Sequence, residues 1–341
     1  MKKIITYSLI LIMMNAAMCY GKEFRKVGTS AAQFLKIGVG ARAVSLAGAF
    51  GAVANDASTI YWNPAGMVTL NSVSWTGSHA NWFADISHQY SGLVLPFGNS
   101  SALGLSAIFT SMGEEEITTE ENPTGTGYYW DASDIAVGIS YARWMTDRFA
   151  LGVTMKYITQ KIWNESASTF AVDVGTYLTT GYKGIVIGMC FSNFGGSLTL
   201  QGRDLLREYD PNPANTLNAN VDTRLHTEPW PLPVNFRVGI AIDMMGQGDR
   251  IISSEDSRMT LAIDGTHPND DSEKLNLGLE YAWRELLFGR IGYGAGYDLV
   301  QVTYGLGVQF KFQQGMFSFD YATASYGELD YVNYLSIGFK F

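Results

Sequence analysis

From about residue 72 onward, hydrophobic and polar residues alternate with a period of two. In Lys274–Trp283 the odd positions are Leu275, Leu277, Leu279, Tyr281 and Trp283, and the even ones are Lys274, Asn276, Gly278, Glu280 and Ala282. Val302–Phe312 sets Val302, Tyr304, Leu306, Val308, Phe310 and Phe312 against Thr303, Gly305, Gly307, Gln309 and Lys311. The stretch 234–244 repeats the pattern, with Arg237 and Asp243 opposite Phe236, Val238, Ile240 and Ile242. Such alternation describes strands lying between two different environments. The outward face of a soluble sandwich carries many Lys and Glu. Here the polar face is mostly Gly, Ala, Ser and Thr with isolated charges, and the apolar face is broad and aromatic. Lipid outside and a polar interior account for both faces, so the pattern predicts a transmembrane β-barrel.

Fourteen segments carry the pattern: 72–82, 86–97, 101–112, 129–144, 148–162, 168–181, 184–194, 233–245, 257–266, 273–283, 287–297, 301–312, 315–324 and 331–341. The even number suits an all-β, closed, 14-stranded antiparallel barrel. Every second connection is short: Gly98–Ser100, Thr146-Asp147-Arg148, Tyr182-Lys183, Arg284-Glu285 and Gln313-Gln314, with 246–256 longer. The other set contains the loops 113–128 and 195–232, as expected for the outer side. Aromatic girdles are expected to include Trp82, Trp144, Trp163, Tyr297, Phe312 and Phe341. Phe341 ends an alternating strand, like the assembly signal of outer-membrane barrels.

The start of the chain differs. Lys2 and Lys3 precede an apolar run to about Met18, which predicts a secretory signal peptide over 1–21. The run is too short to span a membrane. Cleavage fits after Cys19 or after Gly21, the latter favoured; acylation of Cys19 is the alternative. Cleavage leaves Cys190 alone, so no internal disulfide forms. Residues 22–71 do not alternate. They have helix-compatible spacing over 42–54, a break at Asn55-Asp56-Ala57-Ser58, and a short helix that Asn63 caps with Pro64 in its first turn. Phe34, Leu35, Leu46, Phe50, Ile60, Tyr61 and Trp62 argue for burial, so 22–71 is expected to be a plug inside the barrel, 72–341.

Composition narrows the function. Charged residues make up 16% of the 341, against roughly 25% in soluble domains, and 47% are hydrophobic. The net charge of −9 argues against a nucleic-acid partner. Two cysteines and the scattered His79, His88, His226 and His267 offer no metal site, and no cofactor is implied. Gly38-x-Gly40-x-x-Ala43 mimics a dinucleotide loop but follows no strand. His267-Pro268-Asn269-Asp270-Asp271 reads as a polar turn, and Glu114, Glu115, Glu116, Glu120 and Glu121 as a solvated loop. No catalytic motif occurs, so no enzyme is expected. Lys156, Asp173, Arg237, Asp243, Glu280, Arg290, Lys311, Asp320 and Lys340 fall on the inner face with mixed signs. They predict either an ion-pair network that holds the plug, through Arg42 and Asp56, or a conduction path.

The run Phe34-Leu35-Lys36-Ile37-Gly38-Val39-Gly40-Ala41-Arg42-Ala43, then Gly48-Ala49-Phe50 and Tyr61-Trp62-Asn63-Pro64-Ala65-Gly66-Met67, resembles the PorV/PorQ family of outer-membrane proteins. That family is similar to the wider FadL-type barrels, which carry an Asn-Pro-Ala element in an N-terminal hatch. Leu232-Pro233-Val234-Asn235-Phe236-Arg237-Val238-Gly239, Asp264-Gly265-Thr266-His267-Pro268-Asn269-Asp270, Gly278-Leu279-Glu280-Tyr281, Arg290-Ile291-Gly292-Tyr293 and Phe319-Asp320-Tyr321 extend the likeness. The resemblance implies the outer membrane of a Gram-negative bacterium and a role in type IX secretion. The partners it implies are membrane lipids, the secretion translocon and the C-terminal domains of cargo proteins, met through loops such as 195–232 with Trp230. The FadL likeness implies instead a channel for hydrophobic small molecules, with Phe34, Leu35 and Trp62 lining a pocket or packing the plug. A structural barrel with another partner is the third reading.

Overall fold

The computed structural model describes residues 26–211, 221–248, 250–298, 302–312 and 315–341. The expected leader, with Cys19, and the turn at Gln313-Gln314 lie outside them. Fourteen long strands follow one another: β1 (Ser74–Asn81), β2 (Ser87–Phe97), β3 (Ser101–Ser111), β4 (Ala132–Trp144), β5 (Phe149–Ile162), β6 (Glu165–Thr179), β7 (Ile185–Gly195), β8 (Asn235–Gly246), β9 (Ser257–Pro268), β10 (Lys274–Trp283), β11 (Leu287–Ala295), β12 (Val302–Phe312), β13 (Gly315–Ser325) and β14 (Tyr331–Lys340). Each pairs antiparallel with the next, and β1 closes the sheet on β14 from Ser74↔Lys340 to Asn81↔Asn333. Closure leaves no unpaired strand edge, a condition for crossing lipid with strands.

Burial follows the sequence alternation. On β10, Asn276, Gly278, Glu280 and Ala282 are buried, whereas Leu275, Tyr281 and Trp283 are exposed. The exposed apolar belt continues through Leu103, Leu105, Ile139 and Leu306. Among the described residues no helix is long and apolar enough to cross a membrane.

One rim carries the short turns. The longer connection there holds Ile252–Ser253, which pairs in parallel with the end of β8. The opposite rim carries the long loops, and both contain ladders that alternation alone did not resolve. Tyr129–Trp130, expected within a barrel strand, pairs instead with Glu115–Glu116 above the wall. In the longest loop, Leu206–Tyr209 pairs with Val221–Arg224, Gln201–Gly202 pairs antiparallel with the start of β6, and Leu198 bridges Trp230.

Residues 30–71 run inside the barrel as short pieces: Gln33–Lys36, Ala41–Val44, Thr59–Trp62 and Pro64–Thr69. The helix expected over 42–54 stops at Val44, because Ala47 (φ 54°) and Gly48 (φ 76°) turn the chain across the lumen. The small residues of the inner wall are where this segment touches it. A Cβ on Gly188 would lie 2.1 Å from the Gly51 carbonyl oxygen, and one on Gly292 would lie 2.3 Å from the Ala47 nitrogen. Glycine there admits backbone against backbone.

Two girdle expectations are overturned. Trp144 turns inward, stacks edge-on against Tyr177 and donates from Nε1 to the Val68 carbonyl (3.3 Å). Tyr297 lines interior cavities. Both rings find packing partners in the lumen that lipid would not supply. Trp82 packs on Phe83 and Tyr326, whereas Trp163, Phe312 and Phe341 are exposed.

Candidate functional site: the filled lumen and the cavity beneath the long loops

The Asn63-Pro64-Ala65-Gly66 turn sits wholly buried against β5 and β6. Asn63 Oδ1 accepts from the Ala65 amide (3.2 Å), the cap that the sequence suggested. Its Nδ2 donates to the carbonyls of Gly51 (2.7 Å) and Thr176 on β6 (2.9 Å), tying two parts of the segment to the wall. Gly66 has no space for a side chain, since a Cβ would meet Thr59 Oγ1 at 2.4 Å.

The inner-face charges divide into separate groups. Glu280 on β10 gathers three arginines: Arg42 (2.8 Å), Arg258 (2.9 Å) and Arg290 (2.6 Å). Arg42 also reaches Asp56 (3.3 Å), and Arg290 reaches Asp320 on β13 (2.6 Å). Burial works against the charge on Arg42, but Glu280 and Asp56 outweigh it and hold the guanidinium firmly protonated. A buried charge persists only when paired in this way.

Lys156 and Asp173 form a second pair (2.8 Å) on β5 and β6. It is joined by Asn193 of β7, where the β6–β7 register shifts and φ is 63°. The Asn193 amide donates to Asp173 (2.7 Å) and its side chain to the Pro233 carbonyl (3.0 Å).

Arg237 meets Asp264 (3.3 Å), donates to the Gly48 carbonyl (2.6 Å) and lies 4.7 Å over the Trp62 ring. Asp264 in turn accepts from the amides of Phe50 (3.1 Å) and Gly51 (2.8 Å). Asp243 pairs with Arg250 (3.2 Å) near the short-turn rim. Lys311 stands apart from these groups and pairs with no carboxylate among the described residues.

The sequence reading missed Arg258, Asp264 and Asn193 as participants. The first two share the inward parity of β9 with Thr260, Ala262 and Thr266, so the alternation contained the signal. Asn193 depends on a register shift, for which no local signal exists. Asp270, read as part of a polar turn, anchors the start of the segment: it accepts from Gln33 (2.9 Å), Lys36 (3.1 Å) and Ser30. Burial would raise its carboxyl, but those hydrogen bonds outweigh burial and hold it below the usual range.

Beneath the long loops a cavity of about 160 Å³ is bordered by Leu35, Lys36, Tyr61, Trp62, Arg237 and Tyr297. A second, of about 120 Å³, shares all of these but Leu35. Tyr61 donates to the Leu35 carbonyl (3.0 Å) and Trp62 to that of Val39 (3.0 Å), which fixes both rings. Burial pushes the Tyr61 phenol up, with Arg237 opposing it. Phe34 is buried in the core cluster and lines neither cavity. Among the described residues no three His, Cys, Asp or Glu side chains converge to hold a metal ion.

Comparison with known proteins agrees with this architecture. The family model described as "Type IX secretion system protein PorV" matches residues 21–197, just over half of the chain. No curated protein matches the chain. Among solved structures, the CymD monoaromatic hydrocarbon channel superposes with a TM-score of 0.57 at 11% identity, covering 89% of this chain and 97% of that one. The Ralstonia pickettii toluene transporter TbuX gives 0.55 at 11% identity over 89% and 97%. A Pseudomonas aeruginosa FadL homologue gives 0.54 at 12% identity over 89% and 98%. At such identities the likeness concerns the fold, a FadL-like outer-membrane barrel.

Proposed function

Since the chain belongs to the PorV family of type IX secretion system proteins, we propose that it is a non-enzymatic secretion component that holds a protein partner on its long-loop rim. The partner is the translocon or the C-terminal domain of a cargo protein. In this reading 1–21 is a cleaved leader, 22–71 a plug that keeps the lumen shut, and 72–341 the barrel. The observation that carries it is the filled lumen, in which Arg42, Asn63 and the Phe50-Gly51 amides are bound to wall residues on several strands. A barrel packed in this way is suited to present loops rather than to conduct. The rim supports the same reading: Leu206, Tyr209, Val221, Leu225 and Trp230 are exposed on the longest loop. Deletion of the gene, followed by proteomics of the medium and cell surface, tests the role. Loss of a set of proteins sharing a C-terminal domain is expected; an unchanged secretome overturns the proposal.

A second reading, a channel for hydrophobic small molecules, is favoured by the cavity that Tyr61, Trp62 and Tyr297 border. Uptake of such molecules that falls in the deletion strain, with secretion intact, would select it.

A further inference from the structure

On the short-turn side of the lumen a cavity of about 280 Å³ lies between the N-terminal segment and the inner faces of β1, β9 and β11–β14. Five cations line it: Arg42, Arg258, Arg290, Lys311 and Lys340. Every carboxylate in its wall already holds one of the arginines. Asp56 pairs with Arg42, Glu285 with Arg258 and Asp320 with Arg290.

The two lysines are left over. Lys340 makes one polar contact, 3.4 Å to the Asn55 carbonyl, and neither lysine has a carboxylate within ion-pair distance among the described residues. They are also aligned. Lys311 of β12 pairs with Met316 of β13, and Met316 pairs with Lys340 of β14, so the two lysines occupy one row across three strands and line the same cavity. Two strand spacings put their Cα atoms about 10 Å apart, within reach of a single group held between them. Two like charges on one cavity wall repel, and an anion between them offsets that repulsion. The hydroxyl of Ser318, next along the inner face of β13, adds a donor to the same wall.

We infer that this cavity is a binding site for a phosphate group, held between Lys311 and Lys340. A tetrahedral oxyanion presents acceptors in opposed directions, as two lysines on one cavity wall require, and lysine binds phosphate as a point charge. The phosphate is either a soluble ion or the headgroup of a phospholipid, since Lys311 is exposed near the short-turn rim. The site is distinct from the cavity beneath the long loops and does not depend on the secretion reading.

The test uses the full chain folded in neutral detergent. Inorganic phosphate is titrated against sodium chloride at matched ionic strength, and the unfolding midpoint is followed by heat-modifiable migration. A saturable rise specific to phosphate is expected, with affinity about tenfold or more weaker in Lys311→Met and in Lys340→Met, the loss of one charge-assisted hydrogen bond. Lys161→Met, a cation on the opposite rim, should behave as the unaltered protein. Because Lys311 is exposed, its variant keeps the fold should Lys340→Met lose it. Competition by micelle-borne phosphatidic acid would identify a headgroup, and its absence a soluble ion. No effect beyond that of chloride, or a phosphate affinity in both lysine variants equal to that of the unaltered protein, overturns the inference.

Discussion

Arg42 and Glu280, 238 residues apart in sequence, meet in the lumen through two contacts, Nε–Oε2 at 2.8 Å and Nη2–Oε1 at 2.9 Å. The fork places one residue of the N-terminal segment on one strand of the wall, and Arg258 and Arg290 converge on the same carboxylate. Glu280→Gln leaves three guanidinium groups short of a partner. Breaking a buried pair from one side costs about 3–5 kcal/mol. The variant should therefore unfold at a distinctly lower temperature in a heat-modifiability gel, whereas Asp131→Asn, at an exposed pair with Lys161, should leave the midpoint unchanged.

Asn63→Ala removes three hydrogen bonds from a fully buried position. It leaves the carbonyls of Gly51 and Thr176 without that donor, at about 1–3 kcal/mol for each buried group so stranded. Limited proteolysis of the folded barrel should then cut within residues 30–71, which the unaltered protein protects. Protection equal to that of the unaltered chain would count against the proposed anchoring.

Gly152→Val tests the same contact from the wall. A Cβ there lies 2.3 Å from the Ala65 nitrogen, and no flexible side chain is available to yield. The barrel should still form, since its strand pairing is unaffected, but the segment should be displaced. The measurement is ion conductance in planar bilayers, expected to rise above that of the unaltered protein.

Asp270 supplies the pH dependence. Its carboxyl is held below the usual range in the folded chain. The anchorage it gives Ser30, Gln33 and Lys36 is therefore fully present above the unfolded carboxyl value, about 3.9, and is lost as pH falls through the lower folded value. A fluorophore at Thr29→Cys in a Cys190→Ala background should gain mobility only in strong acid. Asp270→Asn should give that mobility at neutral pH and abolish the transition.

Cys190, buried on β7, offers an internal reporter. It should resist maleimide in the folded barrel and react on denaturation, at a lower denaturant concentration in Glu280→Gln than in the unaltered protein. Reaction at the native rate of a free thiol would contradict its burial.

Much of this architecture is written in local pattern. Period-two alternation determined the strands, their even number and which side chains face inward, because a strand between lipid and lumen exposes alternate residues to opposite solvents. By parity it placed Lys156, Asp173, Arg237, Asp243, Glu280, Arg290, Lys311 and Asp320 on the inner face, and Asn63-Pro64 announced its own cap. Which charge meets which belonged to the tertiary structure alone. Arg42 finds Glu280, Asp264 finds the Phe50 and Gly51 amides, and Lys311 finds no carboxylate, because closure of the sheet and the path of the segment bring residues together across hundreds of positions. The same holds for Trp144 and Tyr297, whose place near strand ends suits a girdle and whose rings nonetheless turn inward. Alternation records the solvent on each side of a strand, and the packing of a filled lumen decides what stands opposite each inward side chain.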